Sequence, residues 1–302
     1  MAAKSADKIV GQNINGLDLY PGQRDILIIM DGHGVLFDSK DDYLRGMNKI
    51  FEMFFREQGI SLEESEALNF AKAPSLWKAF EDYVIEQKRA QGMDVCRFNE
   101  TDRKNIVVLL EMYMSKQACF PGMPELCRAL KEGDPTELVN EEVTRLVHMV
   151  SSGAQAALIQ DLKREELMEC FDGVHGKSKE AESASKGGSQ NRLHTSKAEV
   201  CAGIFAQTID RVSYRIGITD TVGDVRAFGS ARYYDERHKR WIAFDEIIGV
   251  RWGFGTKGSL NRAGADGSLA DPAGLKRHLL SLLHTGRTRE GVGRMIHLKN
   301  AQ

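Results

Sequence analysis

The chain has 302 residues, of which 42% are hydrophobic and 28% charged, a composition typical of a soluble globular protein. Its formal net charge of −2 argues against a nucleic-acid-binding surface spread over the molecule, so we expect no nucleic-acid partner. No apolar run approaches the roughly 18 residues of a membrane span, and the first eight residues lack the apolar core of a secretory signal. The five cysteines are odd in number and form no Cys-x-x-Cys pair, which favours a reduced, cytoplasmic chain over a disulfide framework or a zinc site.

The first strong pattern is a short apolar run that ends on a carboxylate. Ile26–Met30 is too short for an ordinary helix and predicts a strand buried on both faces, as in a parallel sheet. Asp31 follows at once, and His33 lies between Gly32 and Gly34. Ligands of open α/β sheets bind at the carboxyl ends of strands, where glycine lets the backbone come close to them. An isolated Asp-Gly would more often only form a turn, so its meaning depends on the residues downstream.

A helical block follows this strand directly. Apolar residues recur at helical spacing, and no strand is expected between residues 39 and 118. Gly59 stands where a helix should end. The predicted helices span 41–59, 62–68, 76–87 and 105–115, and residues 1–24 are predicted to form an irregular arm.

Beyond Pro124 the chain alternates as βαβ units do. Strands are predicted at 144–150, 212–218, 247–250 and 266–269. Helices are predicted at 125–132, 154–170, 197–209, from 222 and at 272–283. A flexible loop is predicted at 177–196, a polar insertion at 234–240 and a loosely held tail from residue 284.

Polar residues follow three of the predicted strands, namely Asp31, then Ser151 with Ser152 and Gly153, then Asp220 with Asp224 four residues on. In a parallel sheet these strand ends lie at one edge, so the side chains can converge. Two carboxylates there suit Mg²⁺, which takes oxygen ligands and a substrate phosphate. The Ser-Ser-Gly hydroxyls and amides, and Lys197 at a helix start, suit phosphate oxygens. A carboxylate can also act as a nucleophile.

With these residues in place, the chain resembles the haloacid dehalogenase (HAD) superfamily, in particular its phosphoglycolate phosphatase-like members with a helical cap after the first strand. Four motifs match in chain order: Ile28-Ile-Met-Asp31-Gly-His33-Gly34-Val-Leu, Met149-Val-Ser151-Ser152-Gly153, Ser196-Lys197, and Ile218-Thr-Asp220-Thr-Val-Gly-Asp224. Further stretches typical of the family are Phe120-Pro-Gly-Met-Pro-Glu-Leu, Phe171-Asp-Gly-Val, Ile248-Gly-Val-Arg-Trp-Gly-Phe-Gly and Ala263-Gly-Ala-Asp. The resemblance covers about residues 26–283.

The resemblance implies an α/β fold, a doubly wound, Rossmann-like parallel sheet formed by residues 1–38 and 119–302, with residues 39–118 as an inserted all-helical cap. It implies that Asp31 is the nucleophile, that Ser151 binds the phosphoryl group and that Lys197 steadies its charge. It also implies Mg²⁺ ligands from Asp31, Asp220, Asp224 and the backbone carbonyl of His33. The expected substrate is a small phosphorylated metabolite, selected by the cap.

His33 departs from the family pattern, because the phosphatases carry there the Asp that moves the protons of the reaction. An imidazole of ordinary pKa about 6.5 could take over those transfers. Alternatively, His33 keeps only its backbone carbonyl in place and the phosphatase chemistry is weakened, since a protonated ring beside Mg²⁺ is repelled. The chain would then be a ligand-binding or partner-binding protein.

Two other branches of the family also lack that acid. The 2-haloacid dehalogenases work without a metal, which Asp220 and Asp224 argue against here. The phosphonoacetaldehyde hydrolases, which break a C–P bond, use a cap lysine to form a Schiff base. Lys49, Lys72 and Lys78 lie in the predicted cap, but the sequence around them lacks the Met-Gly-x-x-Lys pattern of those enzymes.

Overall fold

The structure is a computed structural model that describes residues 25–73, 76–95, 98–114, 117–132, 145–177 and 196–285. Its strands are β1 (Asp25–Met30), β2 (Arg145–Ala154), β3 (Gly173–Lys177), β4 (Val212–Thr219), β5 (Tyr233–Asp235), β6 (Arg240–Ile242), β7 (Glu246–Val250) and β8 (Gly267–Leu269). Its helices are α1 (Lys40–Phe54), α2 (Glu64–Lys72), α3 (Leu76–Ala90), α4 (Glu100–Tyr113), α5 (Met123–Glu132), α6 (Gln155–Arg164), α7 (Lys197–Thr208), α8 (Val222–Ser230), α9 (Lys257–Ala263) and α10 (Pro272–Thr285).

Six strands form one parallel sheet in the order β3-β2-β1-β4-β7-β8. The order runs outward in both directions from β1, so the chain reverses its direction of winding between β1 and β4. In such sheets the carboxyl ends of the two strands at this switch point flank the place where ligands bind. A ligand site is therefore expected at the residues that follow β1 and β4.

β1 is buried on both faces because its side chains alternate between two hydrophobic cores. Ile26, Ile28 and Met30 pack on one face with α5, α6 and α10. Leu27 and Ile29 pack on the other face with α7, α8 and α9. Each fully buried aliphatic side chain contributes about 1.5–3 kcal/mol relative to exposure. The predicted doubly wound α/β architecture is confirmed.

The helices α1–α4 form a cap with its own core, which is rich in aromatic rings. Phe51, Phe55 and Phe80 are almost fully buried there, and their ring centroids lie 5.1–5.9 Å apart. The helix predicted to stop at Gly59 ends earlier, at Phe54, and Gly59, with a φ of 67°, ends the short 3₁₀ turn that follows it. The cap and the parallel sheet thus have separate cores.

The chain enters and leaves the cap through two adjacent segments. The backbone N–H of Asp38 donates to the carbonyl of Ala118 at 2.8 Å, and that of Phe120 donates to Leu36 at 2.9 Å. A single antiparallel bridge joins Phe37 to Cys119 between them. The exact limits of the core at 1–38 and 119–302, and of the cap at 39–118, stay a prediction.

The structure also differs from the sequence prediction in several local features. A strand that was not predicted, β3, extends the sheet beyond β2, and the predicted polar insertion contains the β5–β6 hairpin. The helix predicted at 154–170 ends at Arg164, and a 3₁₀ turn follows at Met168–Cys170. Short edge strands carry little periodicity of their own, which is why the pattern missed them. The predicted arm at 1–24, most of the loop at 177–196 and the tail beyond 285 lie outside the described residues.

Among the residues that the structure describes, none of the helices combines the length and the apolar character needed to cross a membrane.

Candidate active site

The sheet brings Asp31 and Asp220 together at its switch point. Asp31 follows β1 directly, and its backbone N–H donates to the carbonyl of Ile218 in β4 at 2.9 Å. Asp220 follows the last residue of β4. Parallel pairing in register therefore places both carboxylates at the same edge, although 189 positions separate them in the sequence.

A third carboxylate, that of Asp224, completes the cluster from the first turn of α8. Carboxylate oxygens of Asp31, Asp220 and Asp224 all lie within 4.8 Å of one another. Thr221 is the N-cap of α8, and its hydroxyl oxygen accepts from the backbone N–H of Asp224 at 3.1 Å. The same hydroxyl donates to Oδ2 of Asp224 at 2.8 Å. The helix cap therefore fixes both the backbone and the side chain of this acid.

Lys197 bridges two of the three acids. Its Nζ donates to Oδ2 of Asp31 at 2.6 Å and lies 2.9 Å from Oδ1 of Asp224. The lysine is the first residue of α7, whose start is fixed by a capping box between Ser196 and Glu199. Its side chain is only 9% exposed, so the two ion pairs are largely shielded from water.

Two glycine-containing turns enclose the carboxylate of Asp220. A side chain at Gly34 or at Gly253 would overlap Oδ2 of Asp220, and Gly34 also has a φ of 80°. Oδ2 accepts from the backbone N–H of Phe254 at 2.8 Å. Oδ1 of Asp220 is buried and has no hydrogen-bond partner among the described residues. A buried carboxylate oxygen left without a partner costs free energy, so this atom fits an oxygen-binding cation.

His33 lies on the opposite side of Asp31. Its Nδ1 is 3.1 Å from the hydroxyl of Ser151, which also accepts from the backbone N–H of Gly153 at 3.3 Å. A side chain at Gly153 would overlap the His33 ring. Ser151, at the end of β2, is buried, whereas Ser152 is exposed. Ser151, Ser152 and Gly153 belong to strand β2, which ends at Ala154 and not at residue 150 as predicted, and α6 begins at Gln155.

The charges of the acidic cluster perturb one another strongly. Burial raises the pKa of Asp31 well above its usual range, and Lys197 only partly opposes this. Burial also raises the pKa of Asp220 to about 7. For Asp224 burial acts in the same direction, but Lys197 and hydrogen bonds from neighbouring groups outweigh it and lower the pKa. Three acids with one lysine leave an excess of negative charge, which a bound cation would relieve.

The two basic groups of the site, Lys197 and His33, have pKa values shifted in opposite directions. Burial acts to lower the pKa of Lys197, but the charges of Asp224 and Asp31 outweigh it and raise the pKa, so the lysine stays charged. Burial lowers the pKa of His33 to about 4, and the charge of Lys197 lowers it further. His33 is therefore neutral near pH 7, with one ring nitrogen free of a proton.

The residues present fit a magnesium ion. The three acids supply a set of neighbouring oxygen donors, and the buried Oδ1 of Asp220 has no hydrogen-bond partner among the described residues. Asp31, Asp220 and Asp224 are thus brought together as predicted, with Lys197 beside them. The predicted roles of Asp31, His33, Lys197, Ser151, Ser152 and Gly153, and the ligation by Asp220, Asp224 and the His33 carbonyl, stay predictions.

Three contributors to the site were missed or only partly recognised in the sequence. Thr221 holds Asp224, and the Thr-x-x-Asp spacing of a helix cap could have revealed it. Phe254 binds Asp220 through its backbone N–H, which has no sequence signature. Trp252 contacts the ring of Phe120, and its Nε1 donates to the carbonyl of Val35 at 3.0 Å.

Comparison with known proteins identifies the fold. No protein-family model matches the chain, and neither does any curated protein sequence. Among solved structures, a predicted phosphatase from Clostridium acetobutylicum has a TM-score of 0.59 at 19% identity, with 85% of this chain and 98% of that one covered. A predicted phosphoglycolate phosphatase from Haemophilus somnus has a TM-score of 0.54 at 16% identity, with 83% and 96% covered.

A third similar structure is a HAD family hydrolase from Deinococcus radiodurans with bound phosphate and sodium. Its TM-score is 0.54 at 16% identity, and the match covers 87% of this chain and 98% of that one. At these identities the likeness concerns the fold. The chain therefore has the fold of the HAD hydrolases and phosphoglycolate phosphatases, a parallel α/β core with a helical cap, over most of its length.

Proposed function

We propose that this chain is a Mg²⁺-dependent hydrolase that removes the phosphoryl group from a small phosphorylated metabolite through an aspartyl-phosphate on Asp31. The observation that carries the proposal is the convergence of Asp31, Asp220 and Asp224 within 4.8 Å, beside a buried lysine. The HAD hydrolase fold of the similar structures supports the same class of reaction.

Asp31 is the nucleophile of the proposed reaction. One of its oxygens forms a bond to phosphorus while the bond from phosphorus to the leaving oxygen breaks, and the leaving oxygen keeps the electron pair. Water then attacks phosphorus, the bond to Asp31 breaks, and phosphate and the free carboxylate are released. Oδ1 and Oδ2 of Asp31 are held by the Gly32 N–H and by Lys197, which orients the carboxylate before the attack.

The charge on the transferred group is balanced by the surrounding residues. Lys197 lies against the nucleophile and carries the positive charge that the phosphoryl oxygens need. The hydroxyl of Ser151 donates to a phosphoryl oxygen, and the amides at Ser152 and Gly153 are further donors at the same edge. Asp31, Asp220, Asp224 and the carbonyl of His33 would hold Mg²⁺. When bound, the ion supplies electrostatic stabilisation of the phosphoryl oxygens.

His33 is the residue in reach of the proton transfers. Its ring lies beside Ser151 at the edge of the site, where the family motif places the acid–base group. A neutral imidazole accepts the proton of the attacking water in the second step. The first step then runs best with a leaving group that needs little protonation.

The cap selects the substrate in this proposal, and the limits at residues 39 and 118 are those we propose for it. The chain acts in the cytoplasm on a soluble phosphate ester. Among the cap lysines, Lys49 is paired with Glu52 at the surface at 2.7 Å, so it gives no support to a Schiff base of the phosphonoacetaldehyde hydrolase kind.

The decisive experiment measures hydrolysis of p-nitrophenyl phosphate with Mg²⁺ by the wild type and by Asp31→Asn. We expect the variant to lose about 10³-fold or more in turnover, because the amide oxygen cannot form the phosphoenzyme. EDTA should abolish the wild-type activity. Undiminished hydrolysis by Asp31→Asn would overturn the proposal. Circular dichroism of the variant controls for folding.

A second candidate is a ligand-binding protein of the same fold with weakened catalysis. The hydrogen bond between His33 and Ser151 favours it. Each of the two side chains is already bonded to the other and is therefore less available to a phosphoryl group. In that case no phosphate ester would be turned over, while inorganic phosphate with Mg²⁺ would still raise the melting temperature by mass action.

A further inference from the structure

We propose that Phe254 is a positioning residue that couples the docking of the cap to the orientation of Asp220. The proposal rests on the function proposed above, because Asp220 matters as a ligand of Mg²⁺ there. Phe254 belongs to the loop between β7 and α9, which is part of the core. Its backbone contacts Asp220 and its side chain contacts the cap.

The backbone of Phe254 holds the acidic cluster. Its N–H donates to Oδ2 of Asp220 at 2.8 Å, which leaves Oδ1 as the oxygen without a partner. A hydrogen bond from a fixed amide decides which carboxylate oxygen is available to a cation. Displacement of this amide would let the Asp220 side chain rotate, and the cation site would lose its shape.

The ring of Phe254 belongs to the cap. It packs against the core of the cap and meets the ring of Tyr43 edge to face, with centroids 5.6 Å apart and planes at 88°. Tyr43 lies in the first turns of α1 and is itself held by a hydrogen bond from its hydroxyl to the carbonyl of Ala67 in α2, at 2.9 Å. Phe254 is thus held by a ring of α1 that is itself fixed to α2.

The loop that carries Phe254 has little room to absorb a movement of the cap. A side chain at the neighbouring Gly253 would overlap Asp220, so the backbone touches the carboxylate. On the other side of Gly253, Trp252 donates to the carbonyl of Val35 in the turn after Asp31. A shift of the Phe254 ring therefore reaches Asp220 and that turn through one short segment.

The coupling must act in both directions. If docking of the cap orients Asp220 for a cation, then the cation must stabilise the docked cap by the same factor. The cap would be free to open in the metal-free protein and held closed in the loaded one. This reciprocity gives a measurement that does not depend on turnover.

The experiment compares Mg²⁺ binding by calorimetry in the wild type and in Phe254→Ala. The variant keeps the backbone N–H that donates to Asp220. A loss of Mg²⁺ affinity would therefore reflect a displaced N–H and not a missing one. We expect at least tenfold weaker binding in Phe254→Ala and in Tyr43→Ala. Phe254→Leu and Tyr43→Phe retain most of the packing and should remain within about threefold of the wild type. Trp241→Ala, which removes an aromatic ring that is 64% exposed on the β5–β6 hairpin, is the control for loss of a ring.

The second readout is amide hydrogen exchange in α1. Mg²⁺ should slow exchange in Lys40–Phe54 of the wild type and leave it unchanged in Phe254→Ala. Equal Mg²⁺ affinity and equal protection in wild type and Phe254→Ala would overturn the coupling while leaving the proposed function intact. Absence of Mg²⁺ binding by the wild type would overturn both. Should the alanine variants fail to fold, Phe254→Val takes their place, since valine is shorter than leucine and loses more of the packing. Weaker Mg²⁺ binding in Phe254→Val than in Phe254→Leu decides for the coupling, and equal binding by the two variants decides against it.

Discussion

The two sides of Asp31 are built in different ways. On the acidic side, Asp220 and Asp224 lie close to Asp31, and backbone amides, a helix cap and Lys197 hold them in place. On the other side, His33 and Ser151 carry no charge near pH 7 and are joined by one hydrogen bond of 3.1 Å.

This difference in charge shows that the acidic side favours a bound cation, whereas the His33 side does not require a ligand. A buried cluster of like charges is unfavourable unless cations balance it, and Lys197 balances the three acids only in part, so a bound cation would stabilise this side further. The neutral pair has no such cost, since each group satisfies the other. In the function proposed above, a phosphoryl group would displace that hydrogen bond, and substitution of His33 tests this side.

Substitution of His33 separates the two sides directly. His33→Ala should lower turnover of a phosphate ester about 100-fold, because a general acid–base group contributes about that much. Its Mg²⁺ affinity should change by less than about threefold, because the backbone carbonyl of residue 33 remains. Calorimetry and steady-state kinetics on one preparation measure both.

His33→Asp is the matched variant for this test, since it restores the carboxylate of the family motif. Its turnover should equal or exceed that of the wild type. If His33→Ala and the wild type have equal rates, the imidazole has no part in the reaction. Only the acidic side of Asp31 would then take part in the proposed reaction.

A smaller effect tests the cost of the acidic side. In the presence of EDTA at pH 8, Asp220→Asn should be about 1–3 kcal/mol more stable than the wild type, because the pKa of Asp220 is raised to about 7 and its ionisation in the folded state is unfavourable. Chemical unfolding measures this. With Mg²⁺ the order should reverse, since only the wild type gains from the ion. Greater stability of the wild type in EDTA would show that the cluster is not strained by charge.

The smallest effect concerns a pair of histidines in β2 and β3, where His148 lies opposite Ile29 of β1. His148 in β2 lies 3.1 Å from His175 in β3 through ring nitrogens, and burial lowers the pKa of His148 to about 4. A base whose pKa falls on folding contributes stability above about pH 6.5 and loses it as the pH falls toward 4. When the pH falls from 7 to 5, the free energy of unfolding should therefore decrease by about 1 kcal/mol less in His148→Gln than in the wild type. If the free energy of unfolding has the same pH dependence in both proteins, the prediction is wrong. His33 would then be the more important acid-sensitive histidine.

Much of the core could be predicted from the sequence because its signals are local. Ile26–Met30 alternates between two cores, and only a strand in a parallel sheet explains such a run followed by Asp-Gly. The helical periodicity of α1 and the stop at Gly59 are likewise local features. The strand β3 was missed because five residues at an edge carry no period.

The sequence by itself determined the order of the elements and the types of residue at the strand ends, since propensity and periodicity act over a few positions. Only the tertiary structure decided which of those residues meet. The approach of Asp31 to Asp220 depends on the register between β1 and β4, the His33–Ser151 bond on the neighbouring β2, and the anchoring of Asp220 by Phe254 on the packing of a core loop into the cap. These contacts join residues that are 34 to 189 positions apart, so their geometry follows from packing rather than from any local pattern.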